Sequence, residues 1–257
     1  MTHEGKVKSM FAIYKKEMLS YFINPVGYVF GGIFLLFSAV FFGYTTYLSQ
    51  TYDTSTYFTI MIFALIVLIP LLTMRLFAEE RKMRTEQLLL TSPISITSMV
   101  LGKYFAALTM FLSCLAISCL NFIPLYAVAS TQRAGQAYAT VQIGPSTSQL
   151  IGSLIGIALI GAAFIAIGTL ISALTENQLA AAVITISVIL GLVLVGLVSS
   201  LINVYPIRSV LNWISILGRF GNFSVGIFDY AALLYYSSIA FIFVFLTIRV
   251  YEKRRWS

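Results

Sequence analysis

Residues 149–174 read QLIGSLIGIALIGAAFIAIGTLISAL, a stretch of 26 residues without a charged side chain. A hydrocarbon core of about 30 Å needs about 20 apolar helical residues to cross it. Five further windows share this pattern, which gives six predicted spans: Val26–Leu48, Tyr57–Met74, Tyr104–Val128, Gln149–Leu174, Gln178–Ile202 and Tyr230–Ile248. The strands of a membrane barrel are only about ten residues long. The sequence therefore predicts an all-α polytopic membrane protein with six transmembrane helices.

The composition agrees with this prediction. Only 10% of the residues are charged and 59% are apolar, and the mean hydropathy is +0.93, whereas a soluble domain carries about 25% charged residues. Few residues remain once the six spans are counted. Residues 1–257 are therefore expected to form a single transmembrane domain.

Lysine and arginine are distributed unevenly between the two sides of the predicted bundle. The N-terminal arm, the loop after the second span and the C-terminal tail hold 13 of them, whereas the segments after spans one, three and five hold 3. Basic loops remain cytoplasmic, so both termini and residues 75–103 are predicted to face the cytosol. The net charge of +7 then reflects topology and anionic lipid, and no nucleic-acid partner is predicted.

An amphipathic helix is predicted for residues 9–25, ahead of the first span, where it would lie in the cytoplasmic interface of the bilayer. One face carries Phe11, Tyr14, Met18, Tyr21 and Phe22, and the opposite face carries Ser9, Lys16, Glu17 and Ser20. Asn24-Pro25 ends the helix before the membrane. Two roles remain open for it: an anchoring arm that helps to fix the topology, and a surface that contacts a partner.

Charged residues crowd into the loop between the second and third predicted spans. Seven lie between positions 75 and 86: Arg75, Glu79, Glu80, Arg81, Lys82, Arg84 and Glu86. A short helix there would place Glu80 with Arg84, and Lys82 with Glu86, at i,i+4 spacing, each pair worth about 0.2–0.5 kcal/mol.

Leu88, Leu89 and Leu90 follow these charges, and Ser92-Pro93 then predicts the start of a new helix that runs on into the third span. The leucines form either a docking surface for a partner or part of a solvated loop that dips into the interface.

Residues 72–108, LTMRLFAEERKMRTEQLLLTSPISITSMVLGKYFAAL, resemble the signature region of ABC-2 type transporter permeases. In that region an acidic pair, a Thr-Glu/Gln and a leucine-rich run close with Ser-Pro-Ile/Val-Ser. The resemblance extends to residues 13–30, 161–182 and 250–256, which read IYKKEMLSYFINPVGYVF, GAAFIAIGTLISALTENQLAAA and VYEKRRW. Within the family, the chain looks most like the permease branch first named for bacterial gliding motility.

The resemblance implies a transmembrane permease subunit of an ATP-driven ABC transporter in the bacterial plasma (inner) membrane. The implied direction is export, and the implied partners are ABC ATPase subunits, a second permease copy or paralogue and an auxiliary membrane subunit. Residues 79–91 would form the coupling helix, which sits in a groove on the ATPase. The contact residues implied there are Glu79, Glu80, Arg81, Thr85, Leu88, Leu89, Leu90 and Thr91.

Two further segments acquire implied roles. The N-terminal helix would be the family's interfacial connecting helix, with Phe11, Tyr14, Lys15, Lys16 and Met18 available to the ATPase. The turn Thr175-Glu176-Asn177-Gln178 would make a second contact through Glu176 and Asn177, although a polar hairpin that only reverses the chain explains it equally well. One departure stands out, since many relatives have a glycine before the Thr of the coupling segment, where this chain has Arg84.

No phosphate-binding loop of the form G-x-x-x-x-G-K-[ST] is present, so ATP and Mg²⁺ are expected to bind to the partner ATPase and no cofactor to this chain. Residues 79–84 also spell the E-E-x-x-x-R motif of intramembrane glutamate proteases. That reading is judged unlikely because the only histidine is His3 and no predicted span contains an ionisable residue,. The lack of ionisable residues in the predicted spans also argues against a carrier coupled to protons. A non-transporting membrane scaffold remains the alternative.

Two architectural details complete the predictions. Residues 203–229 are expected to form a pair of short re-entrant helices on the outer side, with Pro206 at a helix start, Trp213 in the helix body and Gly218 at its C-terminal end. An interfacial helix that only caps the bundle is the alternative. Gly152-x-x-x-Gly156 is expected to permit close helix packing, either within the bundle or at a subunit interface.

Overall fold

The computed structural model of the protein describes residues 3–49, 51–87, 94–134, 144–201 and 205–255. Within these ranges the chain is helical and forms no strand. Six helices in the described ranges are long and apolar enough to cross a membrane, which confirms the predicted fold class.

The six spans are numbered in chain order. Their helices are span 1 (Pro25–Phe42, continued by a π-helix at Gly43–Leu48), span 2 (Ser55–Thr73), span 3 (Ile96–Ser118), span 4 (Thr147–Leu174), span 5 (Gln178–Leu201) and span 6 (Tyr230–Arg255). A 3₁₀ turn at Cys119–Asn121 and a helix at Phe122–Ala134 prolong span 3. Span 3 begins at Ile96, ahead of the charge-free window predicted from Tyr104, and Ser95 caps its first turn. The helix start predicted at Ser92-Pro93 lies outside the described residues.

Span 4 lies at the centre of the bundle, and close contacts at small residues place its neighbours around it. A Cβ atom built on Gly168 would lie 2.8 Å from the Cβ of Thr73 in span 2, and one built on Gly161 would overlap the ring of Phe111 in span 3. Gly156 faces Phe220 in the same way. Since Phe220 belongs to this chain, the Gly152-x-x-x-Gly156 motif packs inside the bundle.

The interfacial helix, His3–Ile23, packs along span 3. Ile13 and Tyr21 are its buried contacts, and the Tyr14 hydroxyl donates to Thr109 Oγ1 at 3.3 Å. Tyr14, Met18 and Tyr21 of the predicted apolar face pack on the bundle, whereas Phe11 and Phe22 are 62% and 51% exposed. Contact of these two rings with the bilayer interface stays a prediction.

Asn24 and Pro25 end the interfacial helix where the sequence predicts. Asn24 adopts an extended conformation, and Pro25 starts span 1. Pro25 fits there because the first residue of a helix has no use for its backbone N–H.

Two short helices, Tyr205–Ile214 and Ile216–Ser224, connect spans 5 and 6. Pro206 and Trp213 occupy the predicted positions in the first helix. Gly218 does not end that helix, because the Ser215 side chain accepts a hydrogen bond from the Gly218 N–H and caps the second one. The pair is tied to span 6 by the Tyr236 hydroxyl, which donates to the Ile216 carbonyl at 2.7 Å. Their depth in the outer leaflet remains a prediction.

Candidate functional site

We call residues 75–87, the described residues that follow span 2, the coupling segment, after the role that the sequence predicts for this region. Its first helix, Ala78–Lys82, is five residues long. Span 4 caps the start of this helix, because the Ser172 Oγ accepts hydrogen bonds from the N–H groups of Phe77 and Ala78 at 3.1 and 3.2 Å. The same hydroxyl donates to the Met74 carbonyl at 3.2 Å. A side chain of span 4 thus satisfies the amides that a helix start leaves unpaired.

The coupling helix ends in a Schellman motif, the hydrogen-bonded turn that commonly terminates helices. The Thr85 N–H donates to the Glu80 carbonyl and the Arg84 N–H donates to the Arg81 carbonyl, both at 3.0 Å. Arg84 occupies the left-handed position of the motif with a φ of 57°. Glycine is the usual residue there because it has no Cβ to clash. The left-handed conformation explains why many members of the resembled family have a glycine where this chain has Arg84.

Replacing Arg84 with glycine is expected to stabilise the turn by about 1 kcal/mol, since a left-handed conformation costs a side-chain-bearing residue about that much. Hydrogen exchange measured by mass spectrometry on the peptide containing residues 78–85 should then slow. Lys82→Gly is the matched control, because it places glycine at a right-handed helical position and should speed exchange. Faster exchange in Arg84→Gly would show that the left-handed turn is not the stable state.

Lys103 holds the other side of the coupling segment through ion pairs. It belongs to span 3, and only 2% of its side chain is exposed. Its ammonium group contacts the carboxylates of Glu80 at 2.8 Å and Glu17 at 3.0 Å. It also donates to the Leu76 carbonyl at 2.6 Å and lies 5.1 Å from the centre of the Phe77 ring. One buried cation therefore joins span 3, the coupling segment and the interfacial helix.

A second set of ion pairs joins the coupling segment to span 4 and to the tail of span 6. Arg81 contacts Glu176 at 2.8 Å, donates to the Leu174 carbonyl at 3.1 Å and lies 3.5 Å from Glu86. Arg254 contacts Glu86 at 3.0 Å and donates to the carbonyl of Ala173 at 2.8 Å. The structure thus brings together the two regions that the sequence singles out, the coupling segment and the turn at 175–178.

The predicted i,i+4 pairs of the coupling segment are wrong. Glu80 pairs with Lys103 instead of Arg84, and Glu86 pairs with Arg81 and Arg254 instead of Lys82. The helix is too short for these pairs, because the left-handed turn at Arg84 ends it. An i,i+4 pair does form one turn earlier, where Arg75 makes two hydrogen bonds of 2.8 and 2.6 Å to the Glu79 carboxylate. Both carboxylates of the E-E-x-x-x-R motif are therefore held in ion pairs.

Four consecutive residues of the coupling segment, Lys82, Met83, Arg84 and Thr85, are exposed and form its tip. Met83 is 68% exposed and is the apolar centre of this surface, which we call the Met83 tip. By contrast, the side chains of Glu80 and Arg81 are only 16% and 22% exposed. Leu88, Leu89, Leu90 and Thr91 lie outside the described residues, and their predicted contact with an ATPase stays a prediction.

The remaining predicted contact residues fall into two groups. Lys15 and Lys16 are exposed on the interfacial helix, and Met18 packs partly against the core. Asn177 is exposed, but its side chain accepts a hydrogen bond from the Leu179 N–H at 3.0 Å and so caps the start of span 5,. Asn177 therefore has a structural role whether or not it meets a partner.

Tyr21 closes the inner face of the interfacial helix. Its hydroxyl donates to the Leu72 carbonyl at 3.4 Å. Burial, and secondarily the nearby charge of Glu17, raises the pKa of Tyr21 well above its ordinary value. The hydroxyl therefore stays neutral at physiological pH and serves only as a hydrogen-bond partner between the interfacial helix and span 2.

Sequence reasoning missed Lys103, Ser172 and Arg254. Ser172 carries no signal, since serine is common in membrane helices. Lys103 did carry one: it is a lone lysine followed at once by a charge-free window, seventeen residues beyond the nearest preceding charge, Glu86.

Comparison with known proteins agrees with the architecture. No curated protein matches the chain. The family model described as "ABC-2 family transporter protein" matches residues 43–251, which include the coupling segment, spans 2 to 5 and most of span 6. On this match, the chain belongs to the ABC-2 transporter family as a multi-pass membrane permease.

Proposed function

We propose that this permease is driven by separate ATPase subunits that seat on the Met83 tip, and that it exports its substrate. The observation that carries the proposal is the contrast between the two sides of the coupling segment. Its inner side is fastened by Ser172, Lys103, Glu176 and Arg254, whereas the Met83 tip is exposed. A segment held in this way transmits force from a partner bound at the tip to the membrane helices.

The contacts on the inner side of the coupling segment determine which helices would move with it. Lys103 connects the segment to span 3 and to the interfacial helix, and Ser172 connects it to span 4. Displacement of the segment by an ATPase would therefore shift these elements together rather than bend a free loop. ATP-driven alternation between two arrangements of the spans would follow, with the chemistry of hydrolysis carried out by the partner.

The polarity of the site supports a cytoplasmic location. The interfacial helix, the coupling segment and the tail around Arg254 meet at one end of the bundle, and these are the segments that hold most of the basic residues. The positive-inside rule assigns that end to the cytosol. Export, the gliding-motility branch, pairing with a second permease copy or paralogue, and an auxiliary membrane subunit are inferred from the family resemblance.

The Met83 tip provides the test. Met83→Asp is expected to weaken binding of the ATPase by about tenfold to a hundredfold, because a central apolar contact is typically worth about 1–3 kcal/mol. Binding would be measured by co-purification of the ATPase with the detergent-solubilised permease. Arg255→Gln, an exposed substitution on the tail at the same end, is the control and should leave binding unchanged.

Two results would contradict the proposal. Full recovery of the ATPase with Met83→Asp would remove the tip from the contact. Hydrolysis of ATP by the purified permease alone would contradict the division of labour between the chains. If the ATPase binds through the tip but no substrate crosses the membrane, the scaffold alternative is favoured instead.

A further inference from the structure

A cleft lies between the basic-end halves of spans 3 and 6 and has a volume of about 400 Å³. Its walls are apolar and include Leu101, Tyr104 and Phe105 on span 3, and Ala240, Phe241 and Phe245 on span 6. Phe105 and Phe241 are 42% and 73% exposed and form the two lips. The cleft therefore opens sideways, toward the bilayer.

Two local features leave this space between the spans. The Tyr104 hydroxyl donates to the Ala162 carbonyl of span 4 at 3.2 Å, which directs the tyrosine ring toward span 4. On the opposite wall Ala240 contributes only a methyl group. Because the walls offer no hydrogen-bonding surface, water is a poor occupant and a hydrocarbon is a good one.

The dimensions of the cleft correspond to one leaflet. Ala240 and Ile248 mark its ends on span 6, and eight residues of helix extend about 12 Å. Half of a hydrocarbon core of about 30 Å is about 15 Å. The cleft is therefore about as long as the part of an acyl chain that lies in one leaflet.

A basic group lies beside the mouth of the cleft. Arg249 directly follows Ile248, and its side chain is 62% exposed. Its guanidinium lies 4.9 Å from the centre of the Phe245 ring, which forms part of the cleft wall, and Glu252 orients it through a contact of 2.7 Å. Arg254 is turned away toward Glu86 and the Ala173 carbonyl, which leaves Arg249 as the cation in contact with the cleft wall.

We propose that this cleft binds one acyl chain of an anionic phospholipid, whose headgroup lies beside Arg249. The leaflet is the one on the side of the basic termini, which the positive-inside rule predicts to be cytoplasmic. Apolar burial holds the chain, and the guanidinium of Arg249 selects a negative headgroup. This site does not depend on the ATPase contact, because it lies on the lateral surface of spans 3 and 6.

Native mass spectrometry of the full chain, reconstituted with equal amounts of phosphatidylglycerol and phosphatidylcholine, tests the proposal. The unaltered chain should retain one phospholipid, with about a fivefold preference for phosphatidylglycerol. Ala240→Phe fills the cleft and should reduce retention at least about fivefold. Ala231→Phe, at an exposed position on the same span, is the matched control and should retain lipid normally.

The headgroup is tested separately. Arg249→Gln should keep the lipid but lose the preference for phosphatidylglycerol, whereas Arg255→Gln should keep both. Equal retention of the two lipids by the unaltered chain would overturn the anionic assignment. Retention by Ala240→Phe equal to that of the unaltered chain would overturn the site.

A measurement on the unaltered protein guards against a variant that fails to fold. Phosphatidylglycerol with a photoactivatable acyl chain should crosslink to peptides containing residues 97–105 and 240–248. Crosslinks spread evenly over all exposed spans would contradict a defined site. A bound molecule from native membranes that is not a phospholipid would likewise overturn the proposed ligand class.

Discussion

Lys103→Met is expected to destabilise the permease by about 3–5 kcal/mol, the usual cost of removing one partner from a buried ion pair. The substitution keeps a long apolar side chain but leaves Glu17 and Glu80 without their shared cation. Their side chains are only 14% and 16% exposed, so water compensates poorly for the loss. Thermal unfolding in detergent should show a clear fall in midpoint, whereas Lys82→Met, at an exposed position, should show none.

A variant that removes all three charges tests the same ion pairs in a second way. Removing all three charges, in Glu17→Gln/Glu80→Gln/Lys103→Met, should recover much of the lost stability because no unpaired charge remains buried. Lys103→Arg should also be better tolerated than Lys103→Met. If Lys103→Met unfolds at the same temperature as the unaltered chain, the cation does not hold the three elements together.

Gly168→Ala is the second substitution with a large expected effect. An added methyl group would overlap the Thr73 side chain, and such overpacking costs about 1–3 kcal/mol,. The damage should extend to the coupling segment, because Gly168 lies one helical turn before Ser172, which caps that segment. Thermal unfolding of the purified permease measures the loss.

Gly191 offers a matched position in span 5, since a Cβ atom there meets nothing within 4 Å. Gly191→Ala should be neutral or stabilising by up to about 1 kcal/mol, because alanine favours a helix over glycine. Equal effects at the two glycines would mean that the contact between spans 2 and 4 is not tight.

The membrane helices could be predicted from the sequence because their cause is local. A long charge-free stretch such as residues 149–174 has no alternative to crossing the bilayer. The search for charge-free windows placed the start of the third window after the true start of the helix. A window that excludes charge must begin after Lys103, yet the helix begins at Ile96 because Glu17 and Glu80 neutralise that lysine from outside its own segment.

The position of the charged segment between spans 2 and 3 was predictable from the sequence, but its ion pairs were not. Local pairing rules apply only while a helix continues, and the turn at Arg84 stops it. Arg81, Glu86 and Arg254 then find partners far away in sequence. Such pairs follow from the arrangement of spans 4 and 6, which no local pattern contains. Glu17, assigned from the sequence to the polar face of the interfacial helix, points inward for the same reason, because it meets Lys103.

The capping of the coupling helix has a consequence for the order in which the protein is made. The helix itself, Ala78–Lys82, is too short to persist alone in water. Its supports come later in the chain: Lys103, then Ser172 and Glu176, and last Arg254. A nascent permease would therefore carry an unformed coupling segment until its sixth span had left the ribosome and entered the membrane. An ATPase that recognises the folded segment would then bind finished permeases and pass over incomplete ones.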